Sequence, residues 1–572
     1  MSAPHHSPTT MSKSSAPPPR KATPLLTIAA ILTFAVVQRL LLMPGLGGTD
    51  DVLYSLRGLE ISHGDWRYST DPGDLRFGIV LPIALLSHLL GNSDIALTAW
   101  SLICSLLEIT AVTILAGRYW GHRGAILAGL LVSLTPMHVA LAGRPLADAP
   151  FAAFITLAFT GLFLAEKDHS RPMAVLSGVA LGMCWCIKPT ATIPLIAIFL
   201  VSIAWFRRLF YGWWLIALAF ICIVSLEWLL LWNIYGDPLH TLRVLLPFLR
   251  THQEYTGDPF WGYGTPAFYF QMMFRDMRDL WLLPHIAMAG LAFLVIRRQA
   301  DNTRGDFGRY VVYWLVLMIL AYSFFPISIN PIKFIPKQEN YAIIFVAPLA
   351  LAGSWALLKA GGGLQALVVL IIGFGSFGLT SLEQQTVHNK QSRLDQSIAQ
   401  ARANNDSTYL VFDQAIRVAK LRELQGYPKP ANLQPITAYY PEILPPGLAP
   451  STIASESIEH RPEHIVLVLE PSNGSMVHAA APALIAKINQ CGDRIGTIRS
   501  KKQGAGQFAV ALIDGIKGHL PERIAKQLAF TEQIVRPPQA DIIRLSATCL
   551  PTSTTPSKSA QDGVQFKATP GL

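Results

Sequence analysis

The chain has 572 residues, of which 51% are hydrophobic and only 14% charged, and its mean hydropathy is +0.37. That balance excludes an ordinary water-soluble domain and points to a polytopic α-helical membrane protein. The net charge of +10 calls for no nucleic acid, because basic loops that set membrane topology and meet anionic headgroups account for it.

Residues 1–24 are rich in Ser, Pro and His with almost no apolar content, and read as a disordered cytoplasmic tail and not as a cleaved signal peptide. A bilayer core needs about 17–25 apolar residues per helix. About eleven runs approach that length: Leu25–Met43, Ile95–Ala116, Ala125–Ala142, Phe151–Ala165, Met173–Ile187, Thr190–Phe206, Trp213–Tyr235, Trp281–Ile296, Tyr310–Ile327, Ala342–Leu358 and Leu364–Leu379. A twelfth, Phe77–Leu90, is short, contains Pro82 and His88, and reads as a helix lying in the interface. With that assignment the basic clusters Lys13/Arg20/Lys21, Arg118/Arg123, Lys167/Arg171, Arg207/Arg208 and Arg297/Arg298/Arg304/Arg309 share one side of the membrane with the amino terminus. The positive-inside rule makes that side cytoplasmic and places the chain after Leu379 outside.

From about Glu383 the sequence turns polar, with β-like runs at Tyr409–Phe412, Ile465–Leu469 and Phe508–Ile513 and helical patterns at Gln414–Leu424 and His478–Gln490. The expected organisation is a cytoplasmic tail (1–24), a transmembrane catalytic domain (25–382) with outer loops 44–94 and 236–280, a small extracytoplasmic α/β domain (383–551) and a Ser/Thr/Pro-rich disordered tail (552–572). No repeat of fixed period is present. Cys104, Cys184, Cys186 and Cys222 fall in spans, where a small apolar role suits them. Cys491 and Cys549 are the two in the outer domain, where an oxidising compartment would permit a disulfide.

The acidic pair Asp50-Asp51 follows directly on the first span. Two carboxylates there are costly to desolvate unless water, a cation or a substrate compensates them, which makes the pair a candidate reaction centre. The same face would carry Arg76, Arg144, Asp148, Lys188, Lys337 and Tyr341. Carboxylates that can activate a nucleophile beside cations that can bind an anion suit transfer from a membrane-bound phosphate ester. Each residue also has a structural reading: a turn or helix cap for Asp50-Asp51, an amino-terminal cap for Asp148, and snorkelling or interface anchoring for Lys188 and Arg76. Within the spans Glu108 and Glu227 are the main charges, and Arg39 lies near enough to a span end to snorkel. A transporter or flippase for a lipid-linked sugar would place its ionisable residues at mid-membrane, and a noncatalytic scaffold would use the outer domain to bind a partner.

The stretch TDDVLYSLRGLEISHGDW resembles the first outer loop of the GT-C membrane glycosyltransferases, in particular relatives of the protein O-mannosyltransferases and the lipid A aminoarabinose transferases (glycosyltransferase family 39-like). The order continues through Leu89-Leu90-Gly91, the span ending RYWGHR at Arg118–Arg123, the block GRPLADAP with Arg144 and Asp148, and GVALGMCWCIKPTATIP with Lys188. The similarity runs from about Leu25 to Tyr341. Leu53, where the aminoarabinose transferases carry Arg, and Arg76-Phe77-Gly78, where they carry Lys-Pro-Pro, count against lipid A and aminoarabinose.

The resemblance implies a GT-C fold and transfer of a sugar from a polyprenyl phosphate to an acceptor hydroxyl on the extracytoplasmic face of the plasma membrane, with inversion. It implies Asp50 as general base, Asp51 and Asp148 as further catalytic carboxylates, and Arg76, Lys188 and Lys337 on the donor phosphate. Tyr54, Arg144 and Tyr341 would bind substrate. The acceptor would be a glycolipid, protein or polysaccharide. No cofactor is required, although the carboxylates could hold a divalent cation.

Overall fold

The computed structural model describes residues 25–206, 212–254, 266–274, 277–296, 302–329, 332–335, 337–404, 406–436, 464–469, 486, 488, 490–498, 511, 514–522, 525 and 540–546. The tails 1–24 and 552–572, Cys549 and nearly all of Phe508–Ile513 and His478–Gln490 lie outside them.

The first helix, α1 (Leu25–Leu41), is followed by two helices of the first loop, α2 (Asp50–Ser62) and α3 (Phe77–Leu90). Next come α4 (Asp94–Ser133), α5 (Pro136–Ala142), α6 (Asp148–Asp168), α7 (Arg171–Ile187), α8 (Pro189–Phe206) and α9 (Trp213–Tyr235). Helices α10 (His240–Glu254), α11 (Phe268–Phe274), α12 (Leu283–Ile296) and α13 (Asn302–Phe324) lead to a hairpin of β1 (Pro326–Ile329) and β2 (Ile332–Phe334). A 3-10 turn (Glu339–Phe345) then enters α14 (Val346–Leu358), and α15 (Gly362–Ala403) runs 42 residues.

Among the described residues six helices are long and apolar enough to cross a bilayer, where about eleven were expected. Five further apolar helices are shorter, among them α1, α3 and α7. The shortfall has local causes. The run Ala125–Ala142 is not one span: it breaks at Thr135, and Pro136, which has no N–H to offer, starts α5. The expected Tyr310–Ile327 is still one of the six, as Phe307–Phe324, although it ends early because Pro326 opens the hairpin. Helix α4 fuses two segments across Gly121, whose φ of 78° a side chain would resist.

Hydrogen bonds locate the two ends of the bundle. At one end Thr27 meets His122 at 3.4 Å and Arg118 meets Asp168 at 2.6 Å. At the other, α16 (Asp413–Leu424) of the C-terminal domain holds both Glu60 of α2, through Lys420 at 2.8 Å, and Asp94 of α4, through Arg422 at 2.9 Å. The α2–α3 segment therefore leaves and returns at one end, consistent with α3 not crossing. Its bounds coincide with the expected Phe77–Leu90.

Among the described residues the C-terminal domain holds a five-stranded mixed sheet in the order β4-β3-β5-β7-β6, made of β3 (Thr408–Val411), β4 (Leu433–Pro435), β5 (Ile465–Leu469), β6 (Gly492–Ile498) and β7 (Ala540–Leu545). The parallel pairs β3·β4 and β3·β5 sit beside antiparallel β5·β7 and β6·β7. Cys491 is disulfide-bonded, whereas Cys104, Cys184, Cys186 and Cys222 are free.

Candidate functional site

Asp50 and Asp51 open α2, where the unpaired N–H groups and positive dipole end favour carboxylates. Their side chains diverge completely. Asp51 is buried, accepting from the N–H groups of Gly47, Thr49 (2.7 Å) and Val52 (3.0 Å), from Thr49 Oγ1 (3.1 Å) and from Arg144 Nη2 (3.0 Å) and Nε (3.3 Å). Burial works against the Asp51 carboxylate. The Arg144 charge and the backbone donors outweigh it and hold the pKa below the usual carboxylate range. A Cβ at Gly47 would lie 2.6 Å from Arg144 Nη2, so a side chain there would displace the guanidinium.

Asp50 instead faces outward, with 62% of its side chain exposed. Its Oδ2 accepts from the Tyr54 hydroxyl at 3.2 Å and lies 4.0 Å from Arg76 Nη1. Arg76 donates to the same hydroxyl and covers the Tyr54 ring at 5.4 Å. Burial, with Asp50 and Asp148 nearby, raises the Tyr54 pKa far enough to keep the phenol a donor, despite the opposing Arg76 charge. Desolvation disfavours the Arg76 cation, but Tyr54, Asp50, Tyr341 and Asp148 more than offset it.

Asp148 is the first residue of α6, and its Oδ1 takes Lys188 Nζ at 2.5 Å and Asn340 Nδ2 at 2.9 Å. Lys188 ends α7, and Pro189 begins α8, so the turn aims the ammonium inward instead of letting it snorkel. Its Nζ also lies 4.5 Å from the centre of the Tyr341 ring. A cleft lined by Leu75, Arg76, Lys188, Pro189, Thr190 and Thr241 brings Arg76 and Lys188 together. Lys337 is not on that lining. It is buried near Phe334, its ammonium has no hydrogen-bond partner among the described residues, and burial lowers its pKa.

Asp51 and Asp148 are thus each engaged with a cation, and among the described residues no group of three or more potential metal ligands is present. Arg39 departs from the expected snorkelling. It is buried and meets His138 Nδ1 at 2.7 Å, while His138 Nε2 meets Glu108 at 3.2 Å. Sequence reasoning missed this partnership and the buried Glu60, which Arg67 (2.9 Å), Lys420 and Arg57 (3.4 Å) surround. Ionisable residues within apolar runs were the available signal for the first, and the i,i+3 spacing of Arg57 and Glu60 for the second.

No curated protein matches the chain by sequence. Among solved structures it is similar to ArnT from Cupriavidus metallidurans in the apo state (15% identity, TM-score 0.47, covering 92% of this chain and 99% of that one). It is similar also to the same protein bound to undecaprenyl phosphate (16%, 0.46, 70% and 74%). The archaeal oligosaccharyltransferase AglB from Archaeoglobus fulgidus, in complex with an inhibitory peptide and a dolichol-phosphate, gives 15% identity and a TM-score of 0.43, covering 72% of this chain and 61% of that one. Residues 78–232 match the family model of dolichyl-phosphate-mannose-protein mannosyltransferases.

Proposed function

We propose that the chain transfers a sugar from a polyprenyl-phosphate-linked donor to an acceptor hydroxyl at the face carrying the C-terminal domain, which we take as extracytoplasmic, with the amino terminus cytoplasmic. The observation that carries this reading is the contrast among the three candidate carboxylates: Asp51 and Asp148 are buried against cations, whereas Asp50 is exposed beside Tyr54 and Arg76. Asp50 would accept the acceptor proton as bond formation acidifies the hydroxyl, since a carboxylate is too weak a base to ionise an alcohol beforehand. Attack from that side displaces the lipid phosphate directly and inverts the anomeric carbon.

Arg76 and Lys188, on one cleft, would stabilise charge on the departing phosphate. Lys337 adds a buried ammonium lacking a hydrogen-bond partner, which an anion would compensate. Asp51 and Arg144 would then set the position of α2, and Tyr54 and Tyr341 would line the substrate. Glycolipid, protein and polysaccharide acceptors all present the required hydroxyl, and a divalent cation could share the phosphate.

The test is transfer of radiolabelled sugar from a panel of polyprenyl-phosphate sugars in membranes holding matched amounts of the wild type and Asp50→Asn. Donor-dependent labelling that disappears in Asp50→Asn is expected. Equal labelling in both would refute the assignment of the base, and no labelling with any donor would count against transfer itself.

A further inference from the structure

The bundle contains a buried ionic assembly that the reaction as proposed does not use. Arg39 on α1, Glu108 on α4 and His138 on α5 are all buried, and Thr156 on α6 joins them. Arg39 spends its donors on Ser105 Oγ (2.8 Å), the Ala35 carbonyl (3.2 Å) and His138 Nδ1 (2.7 Å). A guanidinium can only donate, so Nδ1 must accept; His138 is then the neutral tautomer with its proton on Nε2, which it donates to Glu108 Oε2 at 3.2 Å. The second Glu108 oxygen accepts from Thr156 Oγ1 at 3.1 Å. One cation, one neutral ring and one anion balance with no charge left over, so the assembly is a closed link and not a path that ions or protons must occupy.

Where its members sit gives the link a purpose. Arg39 is near the end of α1, from which the chain runs to Gly47 and Thr49, two of the donors on Asp51. His138 is six residues before Arg144, the cation on Asp51. Thr156 stands eight residues into α6 from Asp148, about 12 Å along the helix. The segment that carries Gly47 and Thr49, the one that carries Arg144 and the helix that delivers Asp148 are therefore joined to Glu108, the first of them through His138. We propose that Arg39, Glu108 and His138 are positioning residues that fix the separation of α1, α5 and α6, hold the Asp51–Arg144 clasp closed and so aim Asp50. The link to Asp50 catalysis rests on the transferase reading; the link to the clasp does not.

The experiment uses the full chain in detergent with two readouts. Amide hydrogen exchange of peptides spanning Gly47–Val52 reports the clasp, whether or not transfer is observed. The second readout is kcat and donor KM for the transfer reaction. His138→Leu is expected to deprotect Gly47–Val52 and to lower kcat about 100-fold, the cost of an ångström-scale misplacement, with donor KM little changed. His138→Gln, which offers one acceptor and one donor as neutral histidine does, should restore protection and most of kcat. Because His138→Leu strands two buried charges, the triple variant Arg39→Met, Glu108→Met, His138→Leu is the second test, as apolar replacement of a whole ionic group is tolerated by folds. It should recover as folded protein yet keep the deprotected clasp. Wild-type exchange at Gly47–Val52 in the triple variant, or equal deprotection in His138→Leu and His138→Gln, would overturn the proposal. Loss of transfer without loss of protection would leave the clasp intact and would overturn its link to kcat.

Discussion

The Asp51–Arg144 clasp predicts that Arg144→Ala adds a pH dependence that this site lacks in the wild type. In the wild type the folded pKa of Asp51 lies below its ordinary value of 3.8, so the stability it contributes is complete above that value and is lost only as pH falls through the folded pKa. Between about pH 5 and pH 8 this group is silent. Arg144→Ala removes the largest opposing influence and leaves burial, the strongest of all, opposed by the remaining donors alone, so the pKa should rise. A raised carboxyl pKa contributes stability below the unfolded value and loses it as pH rises, so the variant should be less stable near pH 8 than near pH 5, with a difference confined to this site.

Breaking a buried pair on one side costs about 3–5 kcal/mol. Three backbone N–H groups and Thr49 Oγ1 still serve Asp51, which places the loss near the lower end, about 3 kcal/mol. Thermal loss of the monodisperse size-exclusion peak at the two pH values measures it. Asp51→Asn added to Arg144→Ala should abolish the pH difference and recover part of the loss. Equal destabilisation at both pH values, or a double variant worse than the single, would refute the reasoning.

Gly47→Ala should mimic Arg144→Ala, since the new Cβ would occupy the space of Arg144 Nη2; unchanged thermal stability would show that the guanidinium simply moves aside. Burial, with Asp71 adding to it, raises Asp74 to about 6, so its contribution is complete below 3.8 and lost as pH rises through 6. Exchange around Ser69–Arg76 should quicken from about pH 5 to pH 8 after correction for intrinsic rates, and Asp74→Asn should flatten that change. Lys188→Met leaves Asp148 with Asn340 as its remaining side-chain donor; a loss of about tenfold or more in transfer is expected at matched expression, and full activity would remove Lys188 from the reaction. Lys420→Ala should cost little, about 1 kcal/mol, because Arg57 and Arg67 remain on Glu60, and thermal melting checks it.

Much of the bundle was legible because lipid imposes a simple rule on sequence: α3 and α9 carry the bounds that their apolar runs suggested. Length alone misled where one proline or a short break changed the backbone, as at Pro136 and Pro326. The acidic pair was visible as a pair, but nothing in two adjacent aspartates says that one turns to Arg144 and the other to solvent; helix geometry separates successive side chains by about 100°. The pairing of Lys188 with Asp148 spans 40 residues, and that of Arg39 with His138 spans 99, distances over which single-sequence patterning carries no contact information. In the C-terminal domain the short strands β4, β6 and β7 escaped because they owe their form to pairing with neighbours more than to their own alternation.

The bond between Lys420 and Glu60 joins residues 360 positions apart. At about 5–20 residues per second, roughly 20–70 s of synthesis separate the emergence of α2 from that of its partner α16. During that interval Glu60 has Arg57 and Arg67 but not Lys420, and Asp94 waits without Arg422. The first loop therefore reaches its final setting only when nearly the whole chain has been made. A nascent chain interrupted before α16 would carry every candidate site residue and still lack the seat on which α2 rests, which gives cellular quality control a defined patch, the open face of α2, by which to recognise an unfinished molecule.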